Sequence, residues 1–348
     1  MAGNCTLFIE DQHYCKIIAI VKQTVASFSL VASLFIIFVI WLFRKYKYFV
    51  QRLILALTSA ACLNSISYLL TGVPPDDNTL CDFQAWLLSF TSFSVLLWVC
   101  CITFNLYWNA IKEVKTDKFE KYYHLVSWGI PFVVAFLPLI NDHYGPAGAW
   151  CWISKQSDNS VAWRFATYYI PVYLCIIGLF VVYSYIFITI RRQIKRWEGT
   201  YNAEADRSKE LMKQDIRPLM WYPVVYLLTT ICPLINRIQN AASPQPNFTL
   251  LLLQVLSNPL VGMLNAIVFG MDKETLSRLN CIQMKVALIQ HTAAKKPLVR
   301  EYPVGETNEV RPNDDSSWSS ATSTESPYPP STTPVAAPPP PLDEQVAS

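Results

Sequence analysis

Charge is what this sequence has least of. Only 15% of its 348 residues are Asp, Glu, Lys or Arg, while 52% are hydrophobic; an ordinary soluble domain is about one quarter charged. That is the composition of a membrane protein. The deficit is sharpest inside its long apolar stretches, none of which contains Asp or Glu, and their sole histidine, His124, stands near one end. Proton pumps and intramembrane proteases depend on buried carboxylates or histidines, so neither is easily built from these residues. The last apolar stretch has no Lys for a retinal Schiff base. The ten cysteines are too scattered for metal-ligand spacing. No catalytic set stands out, so neither an enzyme nor a metal or other cofactor is expected. No cleaved leader is expected: Met1 to Lys16 is polar and carries Glu10 and Asp11, where a signal peptide has a basic start and an apolar core. Nor do the first three and last three stretches repeat each other as the halves of a seven-span sugar transporter would.

What is present is seven stretches free of all four charged residue types: 24–43, 53–73, 83–111, 122–141, 165–190, 218–236 and 248–271. A helix needs about 20 apolar residues to cross a hydrocarbon core of about 30 Å. Basic residues cluster between the stretches. Arg44, Lys45, Lys47 and Arg52 follow the first, and Lys112, Lys115, Lys118 and Lys121 follow the third; eight lie in 191–217 and seven after the last. Lys and Arg are retained on the cytoplasmic side. The expected fold is therefore an all-α membrane protein, a seven-transmembrane helix bundle with its N-terminus outside and its C-terminus inside the plasma membrane. The expected divisions are an extracellular tail (1–16), the helical domain (17–271), an amphipathic helix on the inner surface (272–294) and a disordered cytoplasmic tail (295–348). Leu276, Leu279, Ile282, Val286 and Ile289 at helical spacing carry the third assignment. The Ser, Thr and Pro content of the tail, with too few large apolar groups to offset ordering entropy, carries the last.

Candidate functional residues lie mostly at the expected outer ends. Asn4-Cys5-Thr6 is a glycosylation sequon. Cys81 and Cys151 stand where an extracellular bridge could form, or they are two free thiols. Lys22, Lys155, Arg164 and Arg237 are basic residues at outer helix ends: they serve a site, or they snorkel to the headgroups. Two of them facing inward would suit an anion, and Asn236 flanks Arg237. Trp150 and Trp152 flank Cys151 and suit a pocket wall or lid as readily as an interfacial belt. Pro223 and Pro233 in the sixth stretch and Pro259 in the seventh each remove a backbone donor and permit a bend; Pro233 and Pro259 are the expected hinges. In the tail, Ser316, Ser317, Ser319 and Ser320 beside Asp314 and Asp315 are candidates for phosphorylation.

Several ordered signatures carry a resemblance. Phe119-Glu120-Lys121-Tyr122-Tyr123-His124 precedes Trp128-Gly129-Ile130-Pro131. Next come Trp150-Cys151-Trp152-Ile153, Arg164-Phe165 with Pro171, and Asn236-Arg237-Ile238 with Asn240. Over roughly residues 17–290 the chain resembles the cyclic-AMP-receptor class of G-protein-coupled receptors, best known from slime moulds. The third stretch ends Asn105-Leu106-Tyr107-Trp108-Asn109 rather than in the Asp-Arg-Tyr of rhodopsin-like receptors, which fits that class and removes the familiar ion lock. The resemblance implies a receptor that couples to a heterotrimeric G protein, with Cys81 and Cys151 in the position of the family's outer disulfide.

An extracellular ligand, cyclic AMP or another anionic small molecule, would meet Arg164, Arg237, Trp152, Lys155 and Asn236. The G protein would meet Tyr107, Arg191, Arg192, Lys213 and Arg217. A receptor kinase and an arrestin-like protein would act on the tail, and membrane lipid would surround the helices; no nucleic acid is expected. The alternative is a small-solute transporter or channel. It would need a continuous polar path, for which the stretches offer only scattered groups such as Asn64, Asn105, Asn258 and Asn265.

Overall fold

The computed structural model describes residues 12–70, 78–112, 114, 116–140, 142–147, 150–154, 159–197, 219–242, 247–271 and 279–292. The chain divides into two compact units, Met1–Pro297 and Leu298–Ser348, and every described residue belongs to the first. That unit is mostly helical. In chain order come α1 (Gln12–Leu42), α2 (Phe49–Leu69), α3 (Asn78–Ile111) and α4 (Asp117–Leu139). A two-stranded antiparallel hairpin follows, β1 (Tyr144–Pro146) and β2 (Cys151–Ile153). The chain continues with α5 (Ser160–Arg192), α6 (Trp221–Ala242), α7 (Phe248–Gly270) and α8 (Cys281–Thr292).

Six of these, α1 to α5 and α7, are long and apolar enough to cross a membrane. In lipid a segment must satisfy its backbone hydrogen bonds internally, which is why long apolar stretches become helices. The 22-residue α6 stands outside the group because Thr229, Thr230, Asn236, Arg237 and Gln239 dilute its apolar content. The first helix begins at Gln12, inside the region expected to be a tail, and carries Lys16 and Lys22 on its early turns.

α1 packs against α2 and α7, α2 against α3, α3 against α4, α5 and α6, and α6 against α7. Its contacts make α3 central. Trp98, Leu96, Ile102 and Leu106 of α3 are fully buried and meet Ile40, Leu57, Ile186 and Tyr222 from four other helices in the main apolar cluster. Large apolar residues also face outward: Leu174, Ile177, Phe180 and Val181 on α5 are all 60% or more exposed. Such a face is stable only when lipid or a partner covers it.

Without a hydrophobic drive between helices in lipid, close packing by small residues holds them together. The α1–α2–α7 seam shows this. Ser65 Oγ donates to Ser29 Oγ at 3.1 Å, and a Cβ on Gly262 would lie 2.3 Å from Ser29 Oγ and 2.5 Å from Ser33 Oγ. Glycine is what permits α7 to approach α1 this closely.

Local departures from α-helix fall where they reorient side chains. A π turn occupies Leu125–Gly129 in α4 and another Phe165–Tyr169 in α5, each adding a residue to a turn and rotating the remainder of its helix. Pro233 lies inside α6, and Pro259 sits in a 3₁₀ turn, Asn258–Leu260, within α7. Pro223 is in the first turn of α6, where its missing N–H would be unpaired anyway, so the expected third bend has no cause. At the end away from the hairpin, Arg52 Nε and Nη2 bond Glu120 Oε1 and Oε2 at 2.6 and 2.7 Å, tying α2 to α4. There Asn105 of α3 also donates to the hydroxyl of Thr116. In α8, Ile282, Val286 and Ile289 are exposed, and the His291 ring stacks on Trp41 of α1 at 4.5 Å. Leu276, counted with them in the sequence, lies outside the described residues.

Candidate functional site

The site begins with the hairpin. Tyr144 pairs with Ile153 and Pro146 with Cys151, and the Ala147 N–H closes the turn on the Trp150 carbonyl at 3.0 Å. A disulfide joins Cys151 to Cys81 in the first turn of α3. Three further bonds fix the hairpin to the helices. Trp152 Nε1 donates to Ser89 Oγ at 3.1 Å, Cys151 N–H to Gln84 Oε1 at 3.4 Å, and the Tyr144 hydroxyl to the Ala135 carbonyl at 2.9 Å. Burial pushes that hydroxyl up to about 12, so it stays a neutral donor. The hairpin is thereby a rigid cover on this end of the helices.

Beneath it lies a cavity of about 130 Å³ lined by residues of α1, α2, α3, α5, α6, α7 and the hairpin. On this measure one water needs about 10–15 Å³, so the space holds on the order of ten waters or one small organic molecule. Its walls are strongly aromatic: Trp150 and Trp152 from the hairpin, Tyr68 from α2, Tyr168 and Tyr169 from the π turn of α5, and Tyr226 from α6. Two cations, Lys22 and Arg237, line it, and no carboxylate does among the described residues. Polar uncharged groups include Asn64, Gln254 and Asn258.

The expected site residues divide. Arg237 and Trp152 both line the cavity, with the guanidinium 5.8 Å from the Trp152 ring centre and 5.5 Å from that of Tyr169. Arg164 does not line it. Its Nη2 donates to the Ile153 carbonyl at 2.5 Å and its guanidinium lies 5.6 Å from Trp152, so it braces the hairpin. Asn236 is 1% exposed and spends its amide on Gln254 Oε1 at 2.5 Å, acting on the cavity through that glutamine. Pro233 and Pro259 both touch the cavity.

At the far end, Tyr107 is half-buried 6.3 Å from the Tyr185 ring, Arg191 covers Phe187 at 4.3 Å, and Arg191 and Arg192 are exposed. Lys155, Lys213, Arg217, Asn4, Ser316, Ser317, Ser319 and Ser320 lie outside the described residues. Cys15 is disulfide-bonded too. Sequence reasoning passed over Tyr68, Tyr168, Tyr226 and Gln254, which come from four helices at no telling spacing. It named Lys22 only as one of four outer basic residues.

Comparison with known proteins gives this geometry a context. A family model described as slime mold cyclic AMP receptor matches residues 10–290. The chain is 30% identical over 250 residues to cyclic AMP receptor-like protein A of Dictyostelium discoideum, covering 71% of this chain and 62% of that protein. It is 26% identical over 266 residues to G-protein coupled receptor 1 of Arabidopsis thaliana, covering 74% and 78%. It is 27% identical over 240 residues to cyclic AMP receptor 4 of Dictyostelium discoideum, covering 64% and 50%. The chain thus spans between half and about four fifths of the length of these relatives.

Proposed function

We propose that this chain, which belongs to the slime mold cyclic AMP receptor family, is a seven-span G-protein-coupled receptor of the plasma membrane. Its ligand, cyclic AMP or another anionic small molecule, would bind under the disulfide-held hairpin and lead to activation of a heterotrimeric G protein at the opposite end. The observation that carries this reading is Arg237 placed against Trp152 and Tyr169 on the wall of an aromatic cavity. A guanidinium offers a planar set of donors to a phosphate or carboxylate, and the surrounding rings suit a planar group.

The count of seven takes α6 as the remaining span. Its 22 residues reach about 33 Å at 1.5 Å per residue, enough for a core of about 30 Å. Basic connections at the end away from the hairpin favour that end as cytoplasmic, with α8 lying along the inner surface on its exposed Ile282, Val286 and Ile289.

Arg237 stands one turn beyond Pro233 on α6. A ligand held by Arg237 would favour one arrangement of α6 about that proline over another, and ligands shift populations only through such differential contacts. The other end of α6 would then open against Tyr107, Arg191, Arg192, Lys213 and Arg217 to admit the G protein. Arg164, Lys155 and Asn236 would shape the mouth and wall. Glycosylation at Asn4, phosphorylation at Ser316, Ser317, Ser319 and Ser320, and kinase and arrestin-like partners complete the proposal.

The test is nucleotide exchange on a G protein in vesicles holding the full chain, screened with cyclic nucleotides and other small anions. Arg237→Ala is expected to raise the half-maximal concentration of an agonist by at least about tenfold, a loss of about 1.4 kcal/mol. An agonist of unchanged potency in that variant refutes the site. Solute uptake by the same vesicles without nucleotide exchange would favour the transporter instead.

A further inference from the structure

Lys22 sits on α1, the helix the proposed function leaves idle. It is 2% exposed, so its ammonium points into the protein rather than snorkelling to the headgroups. The Nζ lies 4.3 Å from the ring centre of Trp150 and 4.9 Å from that of Tyr68, and the residue lines the same cavity as Arg237. It makes no ion pair or hydrogen bond among the described residues. Aromatic faces alone compensate it, and a desolvated cation–π contact is weaker than the cost of burying an ammonium.

A latch on the cover would be the bland explanation for the Lys22–Trp150 contact. Trp150 does not need one. It precedes the disulfide-bonded Cys151, bonds back to Ala147, and packs against Ile18, Leu251 and Ala26. An ammonium held with no counter-charge on the wall of a cavity is matched by what enters that cavity.

We propose that Lys22 is a second anion-binding residue of this cavity and that the cavity takes a compact organic dianion, one negative pole on Lys22 and the other on Arg237. The proposal rests on the reading of the cavity as a ligand site. Charge balance supports it: two cations and no carboxylate line the space among the described residues, and in a low-dielectric interior unmatched charge is costly. A singly charged ligand, cyclic AMP included, would leave one cation unmatched, so of the two ligand classes named above the proposal selects the other anionic small molecules. The rings between the poles suit a planar middle.

The purified full-length chain can be probed with pyridoxal 5′-phosphate. Its aldehyde condenses with an unprotonated lysine amine, releasing water, and borohydride reduces the resulting imine to a secondary amine that mass spectrometry locates; its phosphate supplies the second pole. Pyridoxal, the same aldehyde without phosphate, is the control. Lys22 is expected to be labelled at least about tenfold more by the phosphate form, the factor one charge-assisted contact gives. That preference should disappear in Arg237→Gln, and glutarate should protect Lys22 better than its monomethyl ester.

Equal labelling of Lys22 by both aldehydes, no labelling of Lys22 while exposed lysines react, or equal protection by the two acids overturns the proposal. Melting separates it from the latch. Relieved of an unmatched cation, empty Lys22→Met is expected to melt no lower than the parent, and a fall of several degrees would identify a structural cation instead. None of these readouts needs a G protein. Labelled Lys22 without nucleotide exchange would refute the receptor and leave the dianion site standing; exchange with unreactive Lys22 would do the reverse.

Discussion

The Arg52–Glu120 pair gives a prediction whose size follows from its geometry. Nε and Nη2 meet the two carboxylate oxygens at 2.6 and 2.7 Å, and Nη1 reaches the Lys47 carbonyl at 3.0 Å. The two side chains are 34% and 25% exposed. Exposed pairs contribute about 0.2–1 kcal/mol because water screens them and two long side chains lose freedom. The two-pronged contact and the partly ordered Arg52 place this pair near the top of that range, about 1 kcal/mol, or about fivefold in an equilibrium constant. In Arg52→Gln and Glu120→Gln proteins, melted at one scan rate, each single change should lower the midpoint by about 2–4 °C. The double variant should fall no further than the worse single one, because the second change removes a partner already idle. Raising salt toward 1 M, where the screening length is about 3 Å, should shrink the effect. Additive losses, or losses indifferent to salt, would show that the two residues act separately and that α2 and α4 are joined by packing instead.

Other consequences can be tested on the same protein. Asn236→Ala leaves Gln254, 5% exposed, without its amide partner. It should cost about 1–3 kcal/mol and weaken agonist response, while Asn236→Leu with Gln254→Leu should recover the midpoint and not the response. Gly262→Val pushes α7 off Ser29 and Ser33 and should cost about 1–3 kcal/mol, the usual range for overpacking; an unchanged midpoint would mean the seam opens freely. Replacing Cys81 and Cys151 together by Ser should lower the midpoint and agonist potency as much as replacing either alone. The ceiling is about 4 kcal/mol in the unfolded-chain account for a separation of 70 residues, and unequal single variants would argue for a role of one thiol by itself.

Much of the fold was legible because lipid leaves few options. Each charge-free stretch overlaps a helix, since an apolar run of that length can satisfy its backbone in no other local form. The helix limits were less legible. The first charge-free stretch, 24–43, belongs to a helix starting at Gln12, because Lys22 interrupts the charge-free run without ending the helix. Charge-free length understates a helix where a lysine turns inward between Tyr68 and Trp150. Three proline bends were expected where two positions have cause, since a proline's effect depends on whether its turn is the first one.

The site was only half legible, and the reason is direction. Arg164 and Arg237 look alike in sequence, each at a helix end beside aromatic or apolar residues, yet one braces the Ile153 carbonyl and the other lines the cavity. The π turn immediately after Arg164 shifts the phase of α5 so that Tyr168 and Tyr169 face the cavity together, and no spacing rule announces that extra residue. Net charge was no guide either. A formal charge of +3 averages basic connections at one end, Asp-bearing connections such as the one with Asp142 at the other, and a cavity whose only charged lining residues among those described are Lys22 and Arg237. Depth within the molecule decides what each charge does: at the ends water screens it, whereas inside the cavity it persists. The sign of the cavity depends on two side chains of the 28 basic residues in the chain. Which two becomes visible only when the helices are packed.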